Sequence, residues 1–253
     1  MKLLIAALAA FFVATMSVAQ EPNWSIEAMN EHIDQTNFIV GNHCSATLIS
    51  VESRLLLTNQ HCVTQYLRTR TRQVVSDEGI VSNEKYEHRM DVPVSQRVYD
   101  GHRAVGQMSF STQIVGHDEG VDLALLQFRA ETIPNTAASE IFRGDKVHRG
   151  EVVYAVGNPL GLDATLTKGV ISSTSRRIQV GRSERNYFQM DAGIAGGNSG
   201  GALYNSVGHL IAVPAAAARG TMIGLAIPYN DIMEFLRANC FAPVFGEPQE
   251  DCE

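Results

Sequence analysis

Short apolar or alternating runs recur along almost the whole chain, at residues 38–40, 46–50, 54–58, 113–115, 123–128, 151–156, 169–173, 186–190, 202–204, 209–213 and 222–227. Gly, Asn, Asp and Ser clusters separate them. Runs this short with turn residues between them predict an all-β sandwich or barrel architecture rather than alternating strands and long helices. Helical periodicity is persuasive only near the end, where Ile232, Met233, Phe235 and Leu236 share a face and Asp231 with Glu234 makes a capping-box-like start. This segment reads as a helix over 230–238. Residues 65–108 are polar and charged without clear period and read as long loops. Residues 131–149 lose strand character and carry Pro134, Asn135, Gly144 and Asp145. They read as a linker between a first half at about 36–130 and a second at about 150–240.

The first 19 residues stand apart. Lys2 precedes an apolar run over 3–13, and Ser17 and Ala19 fit a cleavage signal, so 1–19 reads as a secretory signal peptide and 20–253 as the mature domain. The run is shorter than the roughly 20 residues that cross a bilayer, and no later stretch approaches that length. The mature chain is therefore expected to be soluble and exported, to a periplasm or beyond the cell, with no membrane span. The whole sequence has 20 Lys and Arg against 27 Asp and Glu, a net charge of −7, and no basic run longer than the cluster at 68–72. That balance argues against a nucleic-acid partner.

Four cysteines in an exported chain make disulfides the default. Their spacing suggests the pairs Cys44–Cys62 and Cys240–Cys252, among the three connectivities that four cysteines allow. No C-x-x-C or H-x-x-x-H spacing occurs, so neither a metal nor another cofactor is expected.

The sharpest local feature is Gly196-Gly197-Asn198-Ser199-Gly200-Gly201. Glycines free the backbone for turns closed to residues with a Cβ, which suits an exposed nucleophilic serine. The N–H groups of Gly197 and Ser199 are the natural pair to face a developing oxyanion. Alone, such a segment is equally what a Gly-rich turn looks like. It also satisfies the G-x-S-x-G elbow of α/β-hydrolases, but that fold needs an acid and then a histidine after the serine. The last histidine here is His209, with no acidic residue between it and Ser199.

A serine nucleophile needs a base to take its proton and a carboxylate to orient that base. Of eight histidines, His61 follows the apolar run Leu55-Leu56-Leu57-Thr58 and precedes Cys62. The others, His32, His43, His88, His102, His117, His148 and His209, sit mostly in polar surroundings and read as surface residues. Asp122 immediately precedes Leu123-Ala124-Leu125-Leu126, a run too apolar to be exposed, so its carboxylate belongs at the edge of a buried strand and needs a partner there.

Thr58-Asn59-Gln60-His61-Cys62, Asp122-Leu123-Ala124-Leu125-Leu126 and Gly197-Asn198-Ser199-Gly200-Gly201 resemble the three catalytic blocks of chymotrypsin/trypsin-like peptidases, in that family's order. Val156-Gly157-Asn158-Pro159-Leu160-Gly161-Leu162, Thr167-Lys168-Gly169-Val170-Ile171-Ser172, Gln189-Met190-Asp191-Ala192 and Gly224-Leu225-Ala226-Ile227-Pro228 resemble its HtrA/DegP subgroup. The resemblance covers about 38–236. It implies two perpendicular six-stranded β-barrels, an active site between them, His61, Asp122 and Ser199 as the triad, and protein or peptide substrates.

The resemblance also has departures. The sequence shows no PDZ segment after the domain, so the subgroup's trimeric cages and PDZ gating are not carried over and no oligomeric state is read. Ile39-Val40-Gly41 looks like an activation tripeptide but lies too near Cys44, inside an expected strand. Asn198 stands where zymogen-activated trypsins have an aspartate, so no activating cleavage is expected. By the same likeness, the pocket for the side chain before the scissile bond is lined by Gly193 and Ile194, with Ala215, Ala216 and Ala217 opposite. None is acidic, which favours small or medium aliphatic residues there. The competing function is a protease homologue that binds a partner without cleaving it.

Overall fold

Alternation with a period of two sorts the strands of the computed structural model into two closed barrels. The model describes residues 24–247 except 78, 102, 181, 182 and 219. The expected leader at 1–19 and Cys252 lie outside the described residues. In chain order the first part comprises α1 (Ile26–Thr36), β1 (Asn37–Val40), β2 (Cys44–Ser50), β3 (Leu55–Thr58), β4 (Leu67–Val75), β5 (Val81–Arg89), β6 (Val92–Asp100), β7 (Arg103–Asp118) and β8 (Leu123–Phe128). The second comprises β9 (Val152–Gly157), β10 (Thr165–Val180), β11 (Ser183–Met190), β12 (Ala202–Asn205), β13 (Leu210–Ala217), β14 (Gly224–Pro228) and α2 (Tyr229–Ala238). One barrel closes in the order β1-β2-β3-β8-β7-β6 and the other in the order β10-β11-β14-β13-β12-β9, while β4 and β5 form a separate two-stranded sheet.

The continuous apolar runs in β3 and β8 have a physical reason. Leu56, Ala124, Leu126 and Phe128 point into the first barrel's core with Phe38 and Leu48. Leu55, Leu57, Leu123 and Leu125 point the other way, into a core shared with the second barrel's Val153, Leu203, Ile211 and Ile227. A strand between two cores has no solvent face and so loses its polar alternation. At about 1.5–3 kcal/mol for each fully buried aliphatic side chain, these two strands bind the barrels together. Because β3 and β8 are antiparallel with Thr58 opposite Ala124, the segment leaving β3 and the segment entering β8 emerge at the same end of the seam. His61 and Asp122 lie on those two segments.

Several expectations need correcting. Residues 65–108 are mostly strands, not long loops: β4, β5, β6 and the first part of β7 lie there. Their signal was weak because β4 and β5 are exposed along nearly their whole length. A second helix, α1, precedes the first barrel. Its Ser25 side chain accepts from Ala28 N, and Met29, Ile33 and Thr36 give it one narrow buried stripe. At the end of the chain, α2 starts at Pro228 without a side-chain cap. The Asp231 carboxylate instead accepts from Arg185 at 2.9 Å.

Nor are the remaining histidines all surface residues. His117 is paired with Glu87. His32 packs edge-on between Trp24 and Tyr204 and hydrogen-bonds Ser139 Oγ at 3.1 Å. Tyr204, fully buried, hydrogen-bonds Ser139 and Thr36, and burial pushes its phenol up to about 12.

Burial pushes the His32 imidazole below its ordinary value. Above about pH 6.5 folded and unfolded chains both hold it neutral. Below that, the unfolded chain takes up a proton that the folded chain resists, so stability is lost as pH falls. Unfolding in urea between about pH 7.5 and pH 5 should therefore show a shallower pH slope for His32→Gln than for the parent; equal slopes would contradict the assignment.

Candidate active site

The His61 ring and the Asp122 carboxylate meet at the seam. His61 sits in a 3₁₀ turn, Gln60–Cys62, directly after β3. Its Nδ1 lies 2.9 Å from Asp122 Oδ2 and 3.0 Å from Oδ1, and its backbone N–H donates to Oδ1 at 3.0 Å. With the side chains 46% and 17% exposed respectively, the ring is open to a ligand while the carboxylate is shielded behind it.

Neither position is left to chance. Asp122 takes a left-handed φ of 60°, a conformation that costs a non-glycine residue about 1–3 kcal/mol unless its surroundings impose it. Here Asn59 Nδ2, fully buried, donates to the Asp122 carbonyl at 2.8 Å. The Asp118 carboxylate caps the preceding turn through the N–H groups of Gly120 and Val121. On the other side of His61, Cys62 is joined to Cys44 at the start of β2, 18 residues away in sequence. Cys44, Cys62 and His61 converge closely enough to suggest a metal site. With the two sulfurs bonded to each other, however, the thiolates that a metal would need are absent. Cys240 is not a free thiol, and its expected partner Cys252 lies outside the described residues.

Ser199 is held by the second barrel in the loop between β11 and β12. Gly200 N donates to the Pro214 carbonyl at 3.1 Å, and Ser45 N, on β2, donates to the Ser199 carbonyl at 2.8 Å. Gly200 has φ 81°, and a Cβ there would lie 2.2 Å from both Ser45 O and Thr58 Oγ1, so only glycine lets the loop approach the first barrel this closely. The Ser199 hydroxyl makes a long contact, 3.4 Å, with the Ala215 carbonyl rather than a hydrogen bond to His61. The structure thus brings His61 and Asp122 together as a bonded pair and places the Ser199 carbonyl 3.7 Å from the sulfur of Cys62, the residue after His61, with no hydrogen bond from Ser199 to His61. Such bonds are often loose in an unliganded site.

The turn before the serine has a defined orientation. Asn198 N donates to the Ala195 carbonyl at 3.1 Å, and Leu160 N donates to the Gly196 carbonyl at 2.8 Å. In a trans peptide the carbonyl and the next N–H point in opposite directions. The Leu160 bond therefore fixes the Gly196 carbonyl toward the 158–161 turn and leaves the Gly197 N–H on the opposite side of that peptide plane. Gly197 has φ 110°, and a Cβ there would sit 2.3 Å from the Asn158 carbonyl. Among the described residues, the Gly197 and Ser199 N–H groups have no protein acceptor, so both are available to an oxyanion.

Behind this turn lies a buried polar cluster. Ser45 Oγ donates to the Gly197 carbonyl at 2.7 Å and accepts from Asn158 N and Nδ2, both at 2.9 Å. Asn158 reaches on to the Phe38 carbonyl and Asn37 through its side chain, and its Oδ1 accepts from Ala164 N. Ser45, Asn59, Asn158 and Leu160 had no role in the sequence reading. Three of them lay inside quoted motifs, but nothing in their neighbours showed which backbone groups they would meet.

Beside Ser199 opens a cleft of about 510 Å³ whose walls include Ile194, Ala215, Ala216 and Ala217. Its described lining carries no charged residue. Ile194 rests against Gly224, where a Cβ would come within 2.9 Å of Ile194 Cδ1. Gly193 does not line the cleft, contrary to the sequence expectation. Its carbonyl turns instead to accept from Thr167 Oγ1 at 2.8 Å, and Ala195 and Gly196 continue the wall.

Residues 44–213 match the model of the trypsin-like peptidase domain. The chain is 33% identical over 195 residues to the serine endoprotease DegS of Escherichia coli, covering 72% of this chain and 51% of that protein. It is 37% identical over 140 residues to DegS of Haemophilus influenzae, covering 51% of this chain and 39% of that one. Over 125 residues it is 38% identical to the periplasmic serine endoprotease DegP of Escherichia coli, covering 48% and 26%. The chain thus spans about half or less of the length of these relatives. Among solved structures, the HtrA-type protease AlgW with a tripeptide superimposes with a TM-score of 0.60 at 27% identity, covering 83% of this chain and 61% of that one. By sequence and by fold, the chain belongs to the trypsin-like peptidase domain family, in its HtrA-type branch.

Proposed function

We propose that the chain is a serine endopeptidase in which Ser199 attacks the scissile carbonyl, His61 moves the proton and Asp122 holds the imidazole. The observation that carries the reading is the bonded His61–Asp122 pair beside a serine whose loop offers two free N–H groups. With Asp122 accepting from Nδ1–H, the Nε2 lone pair is left as the base. Substrate binding brings Ser199 Oγ from its long contact with Ala215 to Nε2. Oγ then bonds to the carbonyl carbon as its proton passes to Nε2, and the negative oxygen lies against Gly197 N–H and Ser199 N–H. Collapse of this intermediate breaks the C–N bond, the leaving amine takes the proton from Nε2, and water releases the acyl group by the reverse sequence. Each N–H donor to the oxyanion is worth about 10²–10³ in rate.

The described walls of the cleft carry no carboxylate, which supports a preference for Val, Ala or Leu before the scissile bond, since an Arg or Lys side chain would find no counter-charge among them. Export is supported by the apolar segment at 3–13, by the relative named as periplasmic and by the Cys44–Cys62 bridge, which suits an oxidising compartment. No helix among the described residues is long and apolar enough to cross a membrane.

Labelling of the purified protein with a fluorophosphonate probe, followed by mass spectrometry, tests the nucleophile. Modification is expected at Ser199 alone, with Ser199→Ala unlabelled and peptidase activity lower by about 10⁴-fold or more. The same spectrum should show an N-terminus that follows Ala19. Absence of labelling, with retained binding of a peptide, would favour the non-cleaving homologue instead. For specificity, a peptide library cut mainly after Val, Ala or Leu fits the proposal, and cleavage mainly after Arg or Lys would refute it.

A further inference from the structure

The β4–β5 hairpin belongs to neither barrel, and it starts six residues after His61. Its root is fixed. Tyr66 and Leu67 pack against the first barrel's core, Met90 N donates to the Tyr66 carbonyl at 2.9 Å, and Arg89 Nη1 donates to the Ile114 carbonyl on β7 at 3.1 Å. Glu87 joins the hairpin to β7 through His117. From this root nine paired positions run outward, about 30 Å at roughly 3.3 Å per residue.

The two faces differ. Leu67, Thr69 and Thr71 lie opposite Arg89, Glu87 and Lys85 on the face whose base meets β7. The other face, turned away from β7, carries Arg68, Arg70 and Arg72 opposite His88, Tyr86 and Glu84. Arg72 is paired with Glu84 and lies over the Tyr86 ring at 5.5 Å. Among the described residues, the Arg68 side chain bonds only the Leu67 carbonyl and Arg70 meets no carboxylate. This exposed row stands on a chain whose net charge is −7. Guanidinium forks match carboxylates. Residues two apart on a strand recur about every 6.6 Å, the spacing of alternate side chains on an extended peptide. A two-stranded sheet also leaves both edges open for a third strand.

The geometry points to this face as a docking surface for an acidic, extended polypeptide segment, read by Arg68 and Arg70 with Tyr86 beside them. The docking itself does not depend on the peptidase reading. If that reading holds, the hairpin selects substrates that carry an acidic stretch near the cleavage point.

Fluorescence anisotropy of full-length Ser199→Ala protein tests it without catalysis, using a labelled peptide of about twelve alternating Glu and Ser residues, its Gln analogue and a short DNA duplex. The Glu peptide should bind more tightly than the other two and weaken with salt. The double variant Arg68→Gln/Arg70→Gln should weaken it about tenfold while melting at the same temperature. Equal binding of the Gln peptide, equal binding by the variant, no saturable binding, or tighter binding of DNA would each overturn the proposal. With active protein, adding the acidic segment to a cleaved peptide should lower KM and leave kcat alone, and the double variant should abolish that gain.

Discussion

One buried hydroxyl ties the two barrels together at the point where chemistry would occur. Ser45 is fully buried on β2, and its Oγ is saturated, donating to the Gly197 carbonyl and accepting from Asn158 N and Nδ2. Its backbone N–H holds the Ser199 carbonyl, and its own carbonyl accepts from Thr58 Oγ1 at 2.7 Å. Through this residue one strand of the first barrel fixes both the serine loop and the turn at 158–161 of the second. Leu160 N, in that turn, in turn sets the direction of the Gly196–Gly197 peptide. A buried network with every bond made is rigid, and a missing partner would leave desolvated groups unpaired. The same crowding explains why Gly197 and Gly200 tolerate no Cβ.

The seam supplies the other half of the arrangement. β3 and β8 deliver His61 and Asp122 to one end because they are antiparallel neighbours, and both are clamped by facing two cores at once. Positioning is therefore divided. Apolar packing places the base and the carboxylate, and a small polar cluster aligns the serine and its N–H donors with them. Functional groups from rigid, separately supported elements can keep a reactive geometry that a single flexible loop would not.

Much of this was legible in the sequence because the seam strands have no polar face. Leu55-Leu56-Leu57 and Leu123-Ala124-Leu125-Leu126 announce themselves, and the residues just outside them carry the chemistry. The serine loop was legible through its glycines. The hairpin strands were not, since an exposed strand such as Leu67–Val75 buries no face and so shows no hydrophobic alternation. Helix α1 has too narrow a buried stripe to stand out from a polar segment. His32 looked like a surface residue because Trp24 and Tyr204, which enclose it, are far apart in the sequence. The Asp231 carboxylate was read as a local cap when a distant arginine claimed it. The Ser45–Asn158 bonds join residues more than a hundred positions apart, and only the closed barrels show that they meet.

Ser45→Ala measures the central claim most directly, because it deletes the hydroxyl without touching any group that meets a substrate. Steady-state cleavage of a short peptide and inhibition by a matching peptide boronate would be compared with the parent. If Ser45 aligns the N–H donors, kcat should fall about 10²-fold with KM nearly unchanged, and boronate affinity should fall in parallel while the variant remains folded. A folded Ser45→Ala protein with parental kcat and parental boronate affinity would contradict the account.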